Sequence, residues 1–214
     1  MIADYAWRGG REAMLRLGPT TGRPLVIVPP LFEEANRMRR LLVEVMRALA
    51  AHDIATLLPD LPGMGDSCVA TRDARIDDWR DAMKGVAATL PTPIATIAVR
   101  GGCLLDAIGV ERWRLAPVAG ASLLRDMVRA TALTAGTRPA ELTAAARTTA
   151  TRLAGNLIDP SLYVALDAAE VEGDAHVAQL AGTPWRRAEP GDDPAFVTAM
   201  VDDVVTWTKM CAAR

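Results

Sequence analysis

The sequence predicts an α/β protein with a mostly parallel sheet flanked by helices and a small helical insertion. Two observations support this class. Short buried apolar runs alternate with helical patterns, and the intervening segments are long enough to connect parallel strands. The chain has 214 residues, 50% of them hydrophobic, which suits one domain with a sizeable core. We therefore expect a single domain across residues 1–214.

The first strand–helix–strand unit lies between residues 25 and 58. Leu25–Val28 and Ile54–Leu58 are short apolar runs typical of buried strands. The segment between them has apolar residues at helical spacing, namely Met38, Leu41, Leu42, Val45 and Leu49. Upstream, Glu12–Leu17 alternates in polarity, which predicts one antiparallel strand.

The second unit continues the alternation. Asp77–Leu90 has the pattern of a helix, and Ile94–Val99 is a third apolar run that predicts a buried strand. Arg100–Leu105 follows as a sharp turn and the start of a short helix. Arg114–Val118 is predicted as a fourth short strand.

The pattern changes after Gly120. Helical spacing followed by a Thr- and Ala-rich stretch predicts a small helical insertion over the sheet, at roughly residues 121–158. Ala175–Leu180 is predicted as a late strand. Asp159 and Asp193 each precede a proline, the pattern of an N-cap followed by proline in the first turn.

Composition and charge exclude several classes of function. The 24 Lys and Arg residues are balanced by 26 Asp and Glu residues, so no nucleic-acid partner is expected. No apolar run of about 18 residues occurs, so no membrane span is expected. Three widely spaced cysteines favour reduced thiols in a cytoplasmic protein. We expect no metal, because the three cysteines include no C-x-x-C pair, and no cofactor, because Gly63 and Gly65 lack the spacing of a dinucleotide motif.

Four segments carry a family resemblance. They are the PP-x-x-EE-x-N-x-x-RR run, PDLPGMGDS, the DDW that opens the next helix and APVAGASLLRDMVR, at residues 29–40, 59–67, 77–79 and 116–129. In this order they resemble the α/β-hydrolase superfamily and, more narrowly, the exosortase A system-associated hydrolase family, type 2. The resemblance implies a nucleophile elbow after the 94–99 strand and makes the insertion a reduced cap.

The segment that fits the elbow is Ala98-Val99-Arg100-Gly101-Gly102, with Arg100 at the apex. A guanidinium stays protonated and has no lone pair with which to attack, so it cannot replace Ser or Cys. The resemblance also requires a histidine after the last strand. The two histidines, His52 and His176, fall at the end of the first helix and near the start of the late strand. These residues predict a non-catalytic pseudo-hydrolase.

Two interpretations of Arg100 stay open. A helix N-terminus and the Gly101 backbone favour an anion there, either a ligand carboxylate or phosphate or an internal partner. Glu33, Glu34 and Asp66 are the candidate internal partners. We therefore predict a ligand-binding site that includes Arg100 and Gly101 together with these three acids.

Three further positions carry alternatives. Asn36 is either part of the same pocket wall or the N-cap of the first helix. Cys103 is a weak candidate nucleophile if the neighbouring guanidinium lowers the pKa of its thiol, and otherwise a small buried residue. Arg125 and Arg129 lie one helical turn apart, where they would either cover an acidic ligand or form a solvated face.

These observations favour a binding protein for a small acidic molecule or a protein partner. The family resemblance implies a link to exopolysaccharide production or to the export of sorted surface proteins. An alternative is an ester or thioester hydrolase or an acyltransferase with a non-standard nucleophile. A third hypothesis is a homodimer formed through the insertion helix and the last helix.

Overall fold

The computed structural model describes residues 1–187 and 191–213 of the chain. The strands of its main sheet are β1 (Ile2–Trp7), β2 (Gly10–Leu17), β3 (Leu25–Val28), β4 (Thr56–Pro59), β5 (Ala95–Val99), β6 (Glu111–Leu115) and β9 (His176–Ala178). A separate hairpin is formed by β7 (Thr151–Leu153) and β8 (Asn156–Ile158). The α-helices are α1 (Glu33–Ala51), α2 (Ile76–Ala88), α3 (Gly120–Ala135), α4 (Pro139–Ala146), α5 (Pro160–Asp167) and α6 (Pro194–Ala212).

The main sheet has the strand order β1-β2-β4-β3-β5-β6-β9. β2 runs antiparallel to both of its neighbours, β1 and β4, and the pairs from β4 to β9 are parallel. The predicted fold class, a mostly parallel sheet flanked by helices, is confirmed. Because β5 lies between β3 and β6, its carboxyl end opens onto the middle of one sheet edge, where α/β folds place their sites.

Helices cover both faces of the sheet. Side chains of α1 and α6 form one core with Ile27, Ile97 and Trp113 of the sheet. Side chains of α2, α3 and α5 form a second core with Val28 and Ala98 on the opposite face. The β3 and β5 strands are therefore buried on both sides, which explains why their sequences are continuous apolar runs rather than alternating ones.

Several local predictions differ from the structure. Asn36 is not an N-cap, because α1 already begins at Glu33 and Phe32 precedes it without a side-chain cap. The fourth predicted strand begins earlier, at Glu111, and ends at Leu115. Asp159 and Asp193 do cap α5 and α6, accepting hydrogen bonds from the Ser161 and Phe196 amides.

Residues 120–158 lie between β6 and α5. They form α3, α4 and the β7–β8 hairpin, so part of the predicted helical segment is a hairpin instead. Leu153 and Ile158 of the hairpin are fully buried in the same core as α3. In the described residues, no helix combines the length and the apolar character that crossing a bilayer requires.

Candidate functional site

The candidate site is built on a tight turn at the carboxyl end of β5. The backbone of Arg100 has φ of 54°, in the left-handed region that non-glycine residues rarely occupy. A Cβ on Gly102 would approach the Pro29 carbonyl oxygen to 2.4 Å, so only glycine allows this close approach of the β5 and β3 ends. The backbone therefore has the strained shape of a nucleophile elbow, with Arg100 at its apex.

No full helix follows the turn. Arg100–Leu104 and Asp106–Ile108 are short 3₁₀ segments, whereas the sequence predicted a short helix. The reason is local, because Leu105 interrupts the segment with φ of −121° and ψ of 0°. The expected helix dipole at Arg100 is accordingly absent from this part of the described chain, and the charge of Arg100 is balanced by side chains instead.

The main partner of Arg100 is Glu34 in the first turn of α1. Arg100 Nη2 donates to Glu34 Oε1 at 2.9 Å, and Nε lies 3.1 and 3.2 Å from the two carboxylate oxygens. The side chains are only 9% and 13% exposed. A second carboxylate, Asp126 of α3, lies 3.7 Å from Nη2. The guanidinium thus lies between acids from α1 and α3.

Burial and charge act on Glu34 in opposite directions. Burial raises the pKa of the Glu34 carboxyl, and the hydrogen bonds and positive charge of Arg100 oppose that rise. The nearby Asp126 charge adds to the rise. The net direction is upward, because burial disfavours the charged carboxylate more than Arg100 favours it.

An aromatic ring closes the site from the far end of the chain. The Arg100 guanidinium carbon lies 5.1 Å from the ring centroid of Trp185, within the range of a cation–π contact. Trp185 belongs to the 3₁₀ segment Pro184–Arg186, which follows β9, and Arg37 Nη1 contacts its carbonyl oxygen at 3.4 Å. Trp185 is not among the site residues predicted from the sequence, although its ring contacts Arg100.

The remaining predicted site residues are only partly brought together. Gly101 is buried against Leu31 and Leu123, beside Arg100. Glu33 pairs with Arg37 at 3.6 Å, one turn along α1, rather than with Arg100. Asn36 and Asp66 are exposed and make no contact with Arg100 in the described residues.

The structure does not support a reactive thiol at Cys103. The side chain is 1% exposed, and burial raises the pKa of the thiol well above its ordinary range. The positive charges of Arg114 and Arg100 oppose this rise without reversing it. The lowered pKa that would activate a nucleophile is therefore not found, and Cys103 is a buried core residue.

Neither histidine faces the turn. His52 follows the end of α1 and is exposed. His176 lies in β9, where its Nε2 is 2.8 Å from Asp203 Oδ1, an oxygen that also accepts from the Trp113 indole at 2.6 Å. In the segment after the last strand, it is Trp185 that reaches Arg100.

The neighbouring loop after β4 has a structural role. Asp60 accepts a hydrogen bond from Arg39 Nη1 at 2.6 Å. Among the described residues, no amide of its own loop donates a hydrogen bond to this carboxylate. Among those residues, no group of three metal-ligating side chains occurs either.

Comparisons with known proteins find similar solved structures but no family. No model of a known protein family matches the sequence, and no curated protein does. Est1E from Butyrivibrio proteoclasticus, solved with ferulic acid, is 21% identical with a TM-score of 0.46, over 60% of this chain and 57% of that one. Mouse alpha/beta hydrolase domain-containing protein 10 is 16% identical with a TM-score of 0.47, over 63% and 56%.

A third solved structure is a serine hydrolase without a lid from Xanthomonas campestris. It is 18% identical with a TM-score of 0.45, over 56% of this chain and 62% of that one. The chain thus matches less than two thirds of the length of each of these three proteins. The chain is an α/β protein by its own strand order, and two of these similar solved structures are named as α/β hydrolases.

Proposed function

We propose that this chain is a non-catalytic protein of the α/β-hydrolase fold, and that it acts by binding a small acidic molecule or an acidic protein partner. The observation that carries the proposal is the buried pair of Arg100 and Glu34 at the apex of the turn, with Nη2 and Oε1 2.9 Å apart. A permanently protonated guanidinium there cannot start acyl transfer.

The surroundings of Arg100 support this proposal. The Glu34 carboxylate and the Trp185 ring both contact the Arg100 guanidinium, so the side chain at the apex already has partners within the protein. Residues 121–158 serve in this proposal as a reduced cap, since Asp126 of α3 reaches Arg100 from that segment. Arg100 then holds the shape of the site, while the ligand binds elsewhere on the cap or at its rim.

The candidate oxyanion donors also favour a binding role. In α/β-hydrolases, one oxyanion donor is a backbone N–H of the loop that leads from a central strand into the first helix. The equivalent loop here joins β3 to α1. In this chain the Phe32 N–H of that loop donates to Met64 Sδ at 3.1 Å. A donor that already has a partner inside the protein is not free to stabilise a developing oxyanion without moving.

The test is a search for turnover and for an activated nucleophile. Purified protein is incubated with aryl esters, aryl thioesters and a fluorophosphonate probe, beside an Arg100→Ala variant and a Cys103→Ala variant. We expect no turnover and no stoichiometric labelling of any Ser or Cys in the native chain. Turnover by the native chain, together with labelling that one Ser or Cys substitution abolishes, would overturn the proposal.

The family resemblance extends the proposal to a biological setting. We propose a cytoplasmic role in exopolysaccharide production or in the export of sorted surface proteins. Support comes from the resemblance of residues 29–129 and from the cysteines, none of which forms a disulfide in the described residues. Deleting the gene should reduce surface polysaccharide or sorted protein, and complementation should restore it. An unchanged surface in the deletion strain would contradict this part.

A further inference from the structure

A cleft lies on the insertion, away from the contacts of Arg100. It is enclosed by α3, α4 and α5 and has a volume of about 460 Å³. Sites for small molecules in proteins typically have volumes of about 300–1,000 Å³. The cleft is therefore large enough for a small organic ligand.

Three arginines line the cleft. Arg125 and Arg129 lie one turn apart on α3, and Arg147 follows the last turn of α4. Asp167 is the acid in the lining, and it pairs with Arg147 at 2.5 Å. Three guanidinium groups against one carboxylate leave a surplus of two positive charges, although the whole chain has a formal net charge of −2.

The two α3 arginines have weak partners in the described residues. Arg125 Nη2 donates to the neutral Ser122 hydroxyl at 3.1 Å, and Arg129 comes no closer than 3.9 Å to Asp126. Like charges one turn apart on a helix destabilise it. An anion placed between these exposed side chains would remove that repulsion and accept charge-assisted hydrogen bonds from both guanidinium groups.

The remaining lining is mostly apolar. Val128 and Ala140 line the cleft beside Tyr163, whose ring lies 5.6 Å from the Arg147 guanidinium carbon. Tyr163 is 3% exposed, so its ring forms a buried wall of the cleft. The cleft therefore places an aromatic and aliphatic surface beside the arginines, which suits a ligand with an anionic head and an apolar body.

We propose that the cleft between α3, α4 and α5 binds a phosphate monoester with a small apolar or aromatic body. A phosphate monoester carries about −1.5 to −2 charges at neutral pH, which matches the surplus of two positive charges. Arg125 and Arg129 would hold the phosphoryl oxygens, while Tyr163 and Val128 contact the apolar body. The inference rests on the proposed binding function and names the ligand class for it.

The experiment is a calorimetric titration of the full chain with phenyl phosphate. The comparison probes are phenol, inorganic phosphate and vesicles containing phosphatidic acid, which separate the apolar body, the free anion and a lipid headgroup. The test variant combines Arg125→Gln with Arg129→Gln. The matched control is Arg47→Gln, an exposed arginine of α1 that is paired with Glu44.

We expect phenyl phosphate to bind with a Kd below about 1 mM, and phenol not to bind. The double arginine variant should weaken binding at least about tenfold, while Arg47→Gln leaves the Kd unchanged. Without ligand, the double variant should melt no lower than the native chain, because a like-charge contact is removed. The chain could instead bind phosphatidic acid vesicles more tightly than phenyl phosphate and lose that binding in the double variant. This result would support the same site, with the phosphate supplied by a lipid headgroup.

Absence of binding to all probes at ~10 mM, or binding that the double variant leaves unchanged, would overturn the inference. The same titration is assayed for released phenol, which must not appear. Failure of the cleft proposal can be distinguished from failure of the non-catalytic proposal. Ester turnover with phenyl phosphate bound in the cleft would defeat only the proposed lack of catalysis, whereas an inert protein without phosphate binding would defeat only the cleft.

Discussion

Two nitrogens of the Arg100 guanidinium bind the Glu34 carboxylate: Nη2 lies 2.9 Å from Oε1, and Nε lies within 3.2 Å of both carboxylate oxygens. Arg100 directly follows the central strand β5, and Glu34 lies in the first turn of α1, 66 positions earlier in the chain. The contact thus joins β5 to α1 across the middle of the sheet edge. Five predictions follow the consequences of this and of related contacts.

Breaking the Arg100–Glu34 pair should destabilise the fold strongly. Removing one partner leaves an uncompensated charge in a buried place, which typically costs about 3–5 kcal/mol. We expect Arg100→Ala to lower the free energy of unfolding by that amount in urea titrations. Arg100→Met combined with Glu34→Leu should cost less than Arg100→Ala, since no charge is then stranded.

The control for this first prediction is Arg47→Ala, which breaks the exposed pair of Arg47 and Glu44. A surface pair contributes at most about 1 kcal/mol. If Arg100→Ala lowered the free energy of unfolding no more than Arg47→Ala does, the Arg100–Glu34 pair would not stabilise the fold. Arg100 would then be available to an external anion.

The stack of Trp185 on Arg100 should contribute measurable coupling. A desolvated cation–π contact of this geometry is worth about 2 kcal/mol, and a more exposed one about 0.5–1 kcal/mol. We expect a double-mutant cycle with Trp185→Leu and Arg100→Met to give a coupling energy in that range. Additive effects within the error of the unfolding experiment would show that the ring only covers the guanidinium.

Glu12 should give stability a dependence on pH. Burial raises the pKa of the Glu12 carboxyl, and the Asp60 charge adds to the rise, while the Ser67 hydroxyl donates to Glu12 at 2.9 Å and opposes it. A carboxyl with a higher pKa in the folded state binds its proton more tightly there. Its favourable contribution is therefore complete below the unfolded pKa and is lost as pH rises through the folded pKa.

The native chain should accordingly lose stability relative to Glu12→Gln as pH rises from about 4 towards neutrality. Urea unfolding of both proteins across that range measures the difference. Glu44→Gln, at an exposed position, serves as the control and should track the native chain. Parallel profiles for the native chain and Glu12→Gln would contradict the prediction.

Arg114 should anchor the loop that precedes β9. Its guanidinium bonds Asp106 at 2.6 and 2.9 Å, both side chains being nearly fully buried, and it donates to the carbonyl oxygens of Glu172 and Gly173. We expect Arg114→Met to increase hydrogen exchange of residues 168–175, because the carbonyl oxygens of Glu172 and Gly173 lose their guanidinium donor. The reference is Arg152→Met, an exposed arginine on the hairpin, which should leave exchange at 168–175 unchanged.

Cys103 should be inert towards thiol reagents in the folded protein. Its thiol is buried, and burial raises its pKa, so the reactive thiolate is scarce at neutral pH. Cys68 is exposed and should react first with iodoacetamide. Mass spectrometry of native Cys68→Ser protein should show Cys103 modified only after denaturation. Rapid native labelling of Cys103 would reopen its candidacy as a nucleophile.

The central strands could be predicted from the sequence because their signal is local. The runs LVIV and IATIAV lie in strands that are buried on both faces, and such strands are continuously apolar. The first strand, Ile2–Trp7, was missed because it lies at a sheet edge and is mostly exposed. The β7–β8 hairpin was missed because each strand has only three residues.

Only part of the candidate site could be predicted from the sequence. The small residues around Arg100 identify the turn, and the acids of the preceding loop identify Glu34 as one of three possible partners. Asp126 and Trp185 reach Arg100 from segments 26 and 85 positions further along the chain, and only the packing of α3 and of the last loop brings them together. Long-range contacts of this kind leave no periodic trace in the sequence.

The left-handed backbone at residue 100 matters for anyone who would engineer this scaffold. The bend is imposed by the pairing of β5 and by the close approach of Gly102 to Pro29, so it does not depend on which side chain the apex carries. Installing serine at position 100 would present a hydroxyl on a ready-made support. A proton acceptor would still be needed, and position 185 is where a designer would introduce the imidazole.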